Sequence, residues 1–164
     1  MTGAQWSVLA GAFLGGALPW LEAIVVIPVG IVAGAPAPLV VLAAVIGNLL
    51  TVGLAAVFGE RIRDWWVARR HRRRDAEGSE DPAVAERRSR RQDRINRVMS
   101  RWGTPGLALL GPIGLGTQFS AIAAVALGVT ARSAFLWVGA GTVAWSIAAA
   151  GLTLGGVSVA GIGG

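Results

Sequence analysis

The sequence predicts an all-α integral membrane protein made of two inverted repeats. Each repeat is a re-entrant helical hairpin followed by a transmembrane helix, and a cytoplasmic Arg-rich helical segment lies between them. Three observations lead there. First, the 164 residues are 54% hydrophobic and only 15% charged, with a mean hydropathy of +0.60, whereas a soluble domain carries roughly a quarter charged residues. Second, the charge is concentrated. Fourteen of the 15 Arg lie between Arg61 and Arg101 and eight of the nine acids between Glu60 and Asp93, so Glu22 and Arg132 are the only charged side chains outside that window. Helices in water need a polar face that these halves lack, and a bilayer does not ask for one. Third, the halves echo each other: Ile27-Pro28-Val29-Gly30 returns as Gly111-Pro112-Ile113-Gly114, 84 residues later.

Residues 1–59 form the first repeat, with a hairpin over 4–34 and a transmembrane helix over 37–59. A span needs ~20 apolar residues to cross ~30 Å of hydrocarbon. The stretch 4–34, interrupted by Pro19 and Pro28, is too long for one straight span and too short for two. Leu39–Phe58 crosses easily, with Gly47, Asn48 and Thr51 as its soft spots. The start lacks the basic stretch and cleavage site of a signal peptide, so the first apolar segment is expected to be retained. Residues 60–102 form the Arg-rich linker. Glu60–Arg74 continues the span as a helix, with Trp65 and Trp66 as interfacial anchors, and Asp75–Asp81 is a linker. A second helix starts at Asp81 and Pro82 and carries Ile95, Val98, Met99 and Trp102 on one face and Arg on the other, a pattern suited to anionic lipid headgroups. So dense an Arg run also resembles a nucleic-acid patch, but positive-inside bias accounts for it and no nucleic-acid partner is expected. Residues 103–164 form the second repeat, with a hairpin over 104–128, broken by Gly106, Gly111, Pro112, Gly114 and Gly116, and a transmembrane helix over 132–155.

With the Arg-rich segment inside the cell, the first transmembrane helix runs inward and the second outward, and the hairpins open on opposite sides. Irregular backbone at membrane depth survives only where protein or a water-filled cavity satisfies it, and such inverted repeats place a transport site at their broken helices. The rival arrangement is four plain spans with both ends inside, which leaves Arg132 outside.

Glu22 is the sharpest signal, because an intramembrane acid is costly and faces the protein interior or a water path. It reads either as a proton-coupling or cation-binding residue, or as a cap on a half-helix at the membrane surface near the Pro19 turn. Asn48 serves either an interhelical hydrogen bond or contact with the first hairpin or substrate. The loop holding Pro112, Gly114, Gly116, Thr117 and Gln118 exposes backbone groups and helix ends able to hold an ion or phosphate, or is a packing turn; Pro28 and Gly30 take the matching part in the first half. Arg132 either reaches the same cavity or snorkels to the interface. Gly11-x-x-x-Gly15, Gly30-x-x-x-Gly34 and Gly151-x-x-x-Gly155 permit close helix contacts. The absence of Cys excludes thiolate chemistry. No nucleophile with a base, no carboxylate pair in the apolar halves and no His cluster is present, so neither an enzyme nor a cofactor or metal is expected.

Pro19-Trp20-Leu21-Glu22, Ile27-Pro28-Val29-Gly30, Gly47-Asn48, Trp102-Gly103-x-x-Gly106 and the Pro112–Thr117 loop together resemble the small multi-drug export protein family. That family is in turn similar to the DedA/VTT membrane proteins. The resemblance covers roughly Ala10 to Gly155. It implies two hairpin-plus-span repeats and a transporter. Two departures stand out: Ala23 follows Glu22 where the family often carries a basic residue, and Ile113-Gly114-Leu115-Gly116-Thr117 stands where it usually has Pro-Gly-Thr-Gly. The expectation is a multi-pass bacterial plasma-membrane protein, a homodimer, working as a secondary transporter with proton-coupled efflux of small hydrophobic or cationic compounds. The alternatives are a DedA-like lipid or polyprenyl-phosphate flippase or scramblase, and a non-transporting membrane scaffold.

Overall fold

The computed structural model describes residues 1–19, 21–77, 86, 89–90, 93 and 116–159, without the side chains of residues 71, 73–77 and 157–159. The described residues form five helices and no strand: α1 Gly3–Ala17, α2 Glu22–Val32, α3 Ala37–Glu77, α4 Thr117–Ala126 and α5 Ala131–Val159. Thr2 caps α1 in a reciprocal box with Gln5. Pro38 falls in the first turn of α3, where its missing N–H costs nothing. The sequence predicts a linker from Asp75, but α3 runs on through Glu77. Between Gly59 and Gly78 the chain contains neither Gly nor Pro, so nothing stops the helix there.

Among the described residues, only α3 and α5 are long and apolar enough to cross a membrane. At 1.5 Å per residue α3 is about 60 Å long, twice the hydrocarbon thickness, so its Arg-rich end projects beyond the bilayer. Trp65 and Trp66, edge to face at 6.1 Å, lie in that projecting part. The outer faces of both long helices are apolar, with Leu42, Ile46, Leu50 and Leu54 exposed on α3 and Leu136, Ile147 and Leu152 on α5. Lipid tails solvate such faces; water would not.

The inner faces carry one buried residue per turn. On α3 these are Val40, Ala44, Asn48, Val52 and Ala56; on α5 they are Ala134, Val138, Thr142 and Ser146, followed one turn later by half-buried Ala150. The helices run antiparallel along this seam, with Leu49 against Gly139 and Phe135 against Gly53. Two apolar clusters flank its middle. Ala12, Ala23, Ile27, Ala35, Val40 and Ala44 form one, and Val52, Ala56, Ala121, Ala124, Val125, Ala131, Ala134 and Val138 the other. Helix α1 crosses α3 where Gly16 meets the Ala44 carbonyl and Gly47 the Phe13 carbonyl, leaving no room for a Cβ at either. Of the Gly11-x-x-x-Gly15 pair, a Cβ at Gly11 would meet open space, whereas one at Gly15 would lie 2.8 Å from Val26 Cγ2 on α2.

The two short-helix-to-long-helix turns are built alike. In the first, Ala33 N–H donates to Val29, Gly34 to Ile31 and Ala35 to Gly30; in the second, Leu127 donates to Ala123, Gly128 to Val125 and Val129 to Ala124. Every pair of equivalent residues is 94 apart, and α3 and α5 begin 94 apart. The four described positive-φ residues fall into two such pairs, Glu22 with Gly116 and Gly34 with Gly128. The described turns thus repeat at 94, whereas the echo expected from sequence at a spacing of 84 pairs Ile27–Gly30 with Gly111–Gly114, which lie outside the described residues. Pro28 and Gly30 lie inside α2, Gly30 packed against Val40.

Candidate functional site: a buried polar knot between the helices

Asn48 occupies the middle of the α3 stripe, between the two apolar clusters, fully buried. A buried amide there must find partners from other helices. Its Nδ2 donates to Thr117 Oγ1 at 2.9 Å. Its Oδ1 lies 3.2 Å from Thr117 Oγ1 and 3.3 Å from Thr142 Oγ1. Asn48 thus joins α3 to both α4 and α5. Neighbouring Gln118 extends the knot: its Oε1 is 3.0 Å from Thr117 Oγ1 and its Nε2 donates to Thr51 Oγ1 at 3.0 Å.

Glu22 closes the knot from the other side. It is the first residue of α2, with φ +44°, and its side chain is buried. Its Oε1 accepts the backbone N–H of Thr117, the first residue of α4. The carboxylate therefore caps a helix 95 residues away in the chain. A negative charge at a helix N-terminus gains from the unpaired N–H groups and the helix dipole, which offsets part of the cost of burying it. Gly116, the α4 N-cap, has φ +84°, and a Cβ there would lie 3.0 Å from Glu22 Oε1 and 3.3 Å from the Pro19 carbonyl. Glycine is needed both for the backbone conformation and for the space the carboxylate takes.

Of the residues singled out from sequence, Glu22, Asn48, Gly116, Thr117 and Gln118 come together. Glu22 does cap a helix, but in the buried interior and on the other half of the chain. Pro28 and Gly30 stay within α2. Arg132 is exposed at the start of α5, beyond the far end of α4. Pro112 and Gly114 lie outside the described residues, as does most of the expected helix leading to Trp102, of which residues 86, 89–90 and 93 are described and helical. Thr142 and Ser146 join the seam without having been singled out. Their signal was two small polar residues one turn apart in an apolar helix, matching one face.

At the exposed end of α4 and α5, Glu60 accepts the Ala131 N–H at 3.3 Å and Arg63 donates to the Val125 carbonyl at 3.3 Å. An acid thus meets a helix start and a cation a helix end, each with favourable dipole sign. In the first half Gln5 Nε2 donates to the Gly34 carbonyl at 3.3 Å.

Apolar outer faces and two membrane-length helices mark a membrane protein, with a polar knot buried where α3 and α5 meet the short helices. Residues 22–148 match the family described as "Putative small multi-drug export protein", and the chain belongs to that family. No curated protein and no solved structure matches it.

Proposed function

We propose that the protein is a bacterial plasma-membrane secondary transporter that exports small hydrophobic or cationic compounds in exchange for protons, with Glu22 as the coupling carboxyl. The observation that carries this reading is the contact between Glu22 and the N-terminus of α4. The acid of the apolar halves is also the group that joins the two halves. When ionised, it holds α4 through a charge-assisted hydrogen bond. When protonated, it loses the charge that the helix end attracts, and the closure between α2 and α4 loosens. A proton and a substrate can then be exchanged across the same seam.

The repeat supports an inverted arrangement. The 94-residue spacing relates α2–α3 to α4–α5, and α3 and α5 run antiparallel, as helices related by an axis in the membrane plane must. With 11 and 10 residues, α2 and α4 reach only about 15 Å, which fits re-entrant elements. Asn48 and Thr142 are equivalent positions and meet at the seam. The Arg-rich end of α3 is placed in the cytoplasm by the positive-inside rule. There Trp65, Trp66, Arg69 and Arg70 form an exposed aromatic and cationic surface, suited to anionic lipid headgroups. A homodimer would cover part of the apolar outer faces.

A headgroup site shared by Thr117 and Arg132 is disfavoured for the lipid-handling alternative, because Thr117 is buried at one end of α4 and Arg132 follows its other end, about 15 Å away. The test is reconstitution into liposomes. Under an imposed pH gradient, a fluorescent aromatic cation is expected to accumulate faster than in protein-free vesicles, with labelled phospholipid remaining in its leaflet. Lipid scrambling without cation flux would overturn the export reading.

A further inference from the structure

The hydroxyls on these helices have a regular habit. Ser7, Ser120, Thr142 and Thr153 each donate to the carbonyl four residues earlier, and Thr51 to the Asn48 carbonyl three residues earlier, which is how such side chains satisfy themselves inside an apolar helix. Ser146 does not. It is fully buried, and its Oγ has no hydrogen-bond partner among the described residues. Its counterpart in the α3 stripe, 94 residues earlier, is the apolar Val52. Ser146 follows Thr142 by one turn on the same face of α5, so it borders the polar knot.

The knot itself is rich in oxygen. The Thr142 hydroxyl has both the Val138 carbonyl at 3.1 Å and Asn48 Oδ1 at 3.3 Å within reach, and the Thr117 hydroxyl has Gln118 Oε1 at 3.0 Å and Asn48 Oδ1 at 3.2 Å. Each hydroxyl has one proton to share between two acceptors. The seam therefore gathers oxygens in excess of donors: Asn48 Oδ1, Thr142 Oγ1 and Ser146 Oγ. The Glu22 carboxylate adds one negative charge to the same knot through Thr117. Carbonyl, hydroxyl and carboxylate oxygens are the ligands of hard cations, and a single charge matches a monovalent one.

We propose that Asn48, Thr142 and Ser146, charge-balanced by Glu22, form a binding site for a monovalent cation of sodium size. The proposal rests on the transport reading and deepens it, because protonation of Glu22 would remove the charge that balances the cation. The experiment is thermal unfolding of the purified protein in detergent at alkaline pH. NaCl replaces choline chloride at constant ionic strength, and KCl serves as the size control. Sodium is expected to raise the unfolding temperature of the wild type more than potassium does. Ser146→Ala should be as stable as wild type in choline chloride, because it removes a hydroxyl without a partner among the described residues, yet need about tenfold more sodium or worse for half the shift. Thr142→Val should shift the midpoint in the same direction. A flat sodium titration of the wild type, or an unchanged midpoint in Ser146→Ala, overturns the site. If proton-driven export in sodium-free liposomes still requires Glu22 while the titration is flat, the cation site falls and the export reading stands.

Discussion

Glu22 and Gly116 hold the same place in two copies of one backbone. Both have positive φ, both stand where a short helix begins, and the turns that follow share one hydrogen-bond pattern. One position carries an acid and the other carries nothing beyond its backbone. The acid reaches across and fills the space that the glycine leaves. The two stretches share a backbone pattern and differ in the side chains they bring to the seam. The long helices repeat the lesson: Asn48 and Thr142 occupy equivalent positions and meet, one offering an amide oxygen and the other a hydroxyl within reach of it. Two identical carboxylates at 22 and 116 would repel, and two glycines would leave the α4 N-terminus without its cap.

The largest break of this pairing is expected where the first half is closed by α1. Gly47→Ala and Gly16→Ala each place a methyl against a backbone carbonyl, which cannot move as a side chain can. Each should cost about 3 kcal/mol or more, seen as poor yield of folded protein and a lowered unfolding temperature. Gly116→Ala comes next. It forces a side chain into the left-handed region and onto the Glu22 carboxylate, for about 2 kcal/mol. Glu22→Gly in the same background should recover part of that loss by clearing the space, a compensation readable by a double-mutant cycle.

The seam itself should show an intermediate effect. Asn48→Leu strands Thr117 and should cost about 2 kcal/mol, whereas Thr142→Val, whose hydroxyl has its own helix carbonyl as partner, should cost about 1 kcal/mol or less. The smallest effects belong to the exposed ties. Gln5→Ala in the first half, and Arg63→Ala in the second, should each change stability by about 0.5 kcal/mol. Measured losses at these ties as large as those at Asn48 would mean that the turns, not the knot, hold the halves together.

Much of this was legible in the sequence, for physical reasons. Glu22 and Asn48 stand out because polar groups in apolar runs must find partners. Thr117 and Gln118 stand out because they follow a Gly-rich break. The two long helices follow from length and hydropathy. The phase of the repeat was not legible. The letters of Ile27–Gly30 and Gly111–Gly114 match at one spacing, while the described turns repeat at another, carried by Gly34 and Gly128 and by two positive-φ residues of different type. Thr142 and Ser146 went unread because hydroxyls are common in apolar helices and satisfy themselves. Only the partners of Thr142, and the lack of one for Ser146 among the described residues, set them apart. Arg132 drew notice for its charge, yet charge alone does not place a long side chain, and it lies exposed at a helix start.

The central claim is that Glu22 both joins the halves and couples the proton. The direct measurement is flux of an aromatic cation driven by a pH gradient in liposomes, comparing wild type with Glu22→Gln, with unfolding temperatures measured alongside. The amide of Gln keeps an oxygen for the Thr117 N–H but cannot exchange a proton. The account predicts that Glu22→Gln remains folded and loses gradient-driven flux. A folded Glu22→Gln that moves the cation at the wild-type rate would contradict it, leaving Glu22 as a helix cap alone.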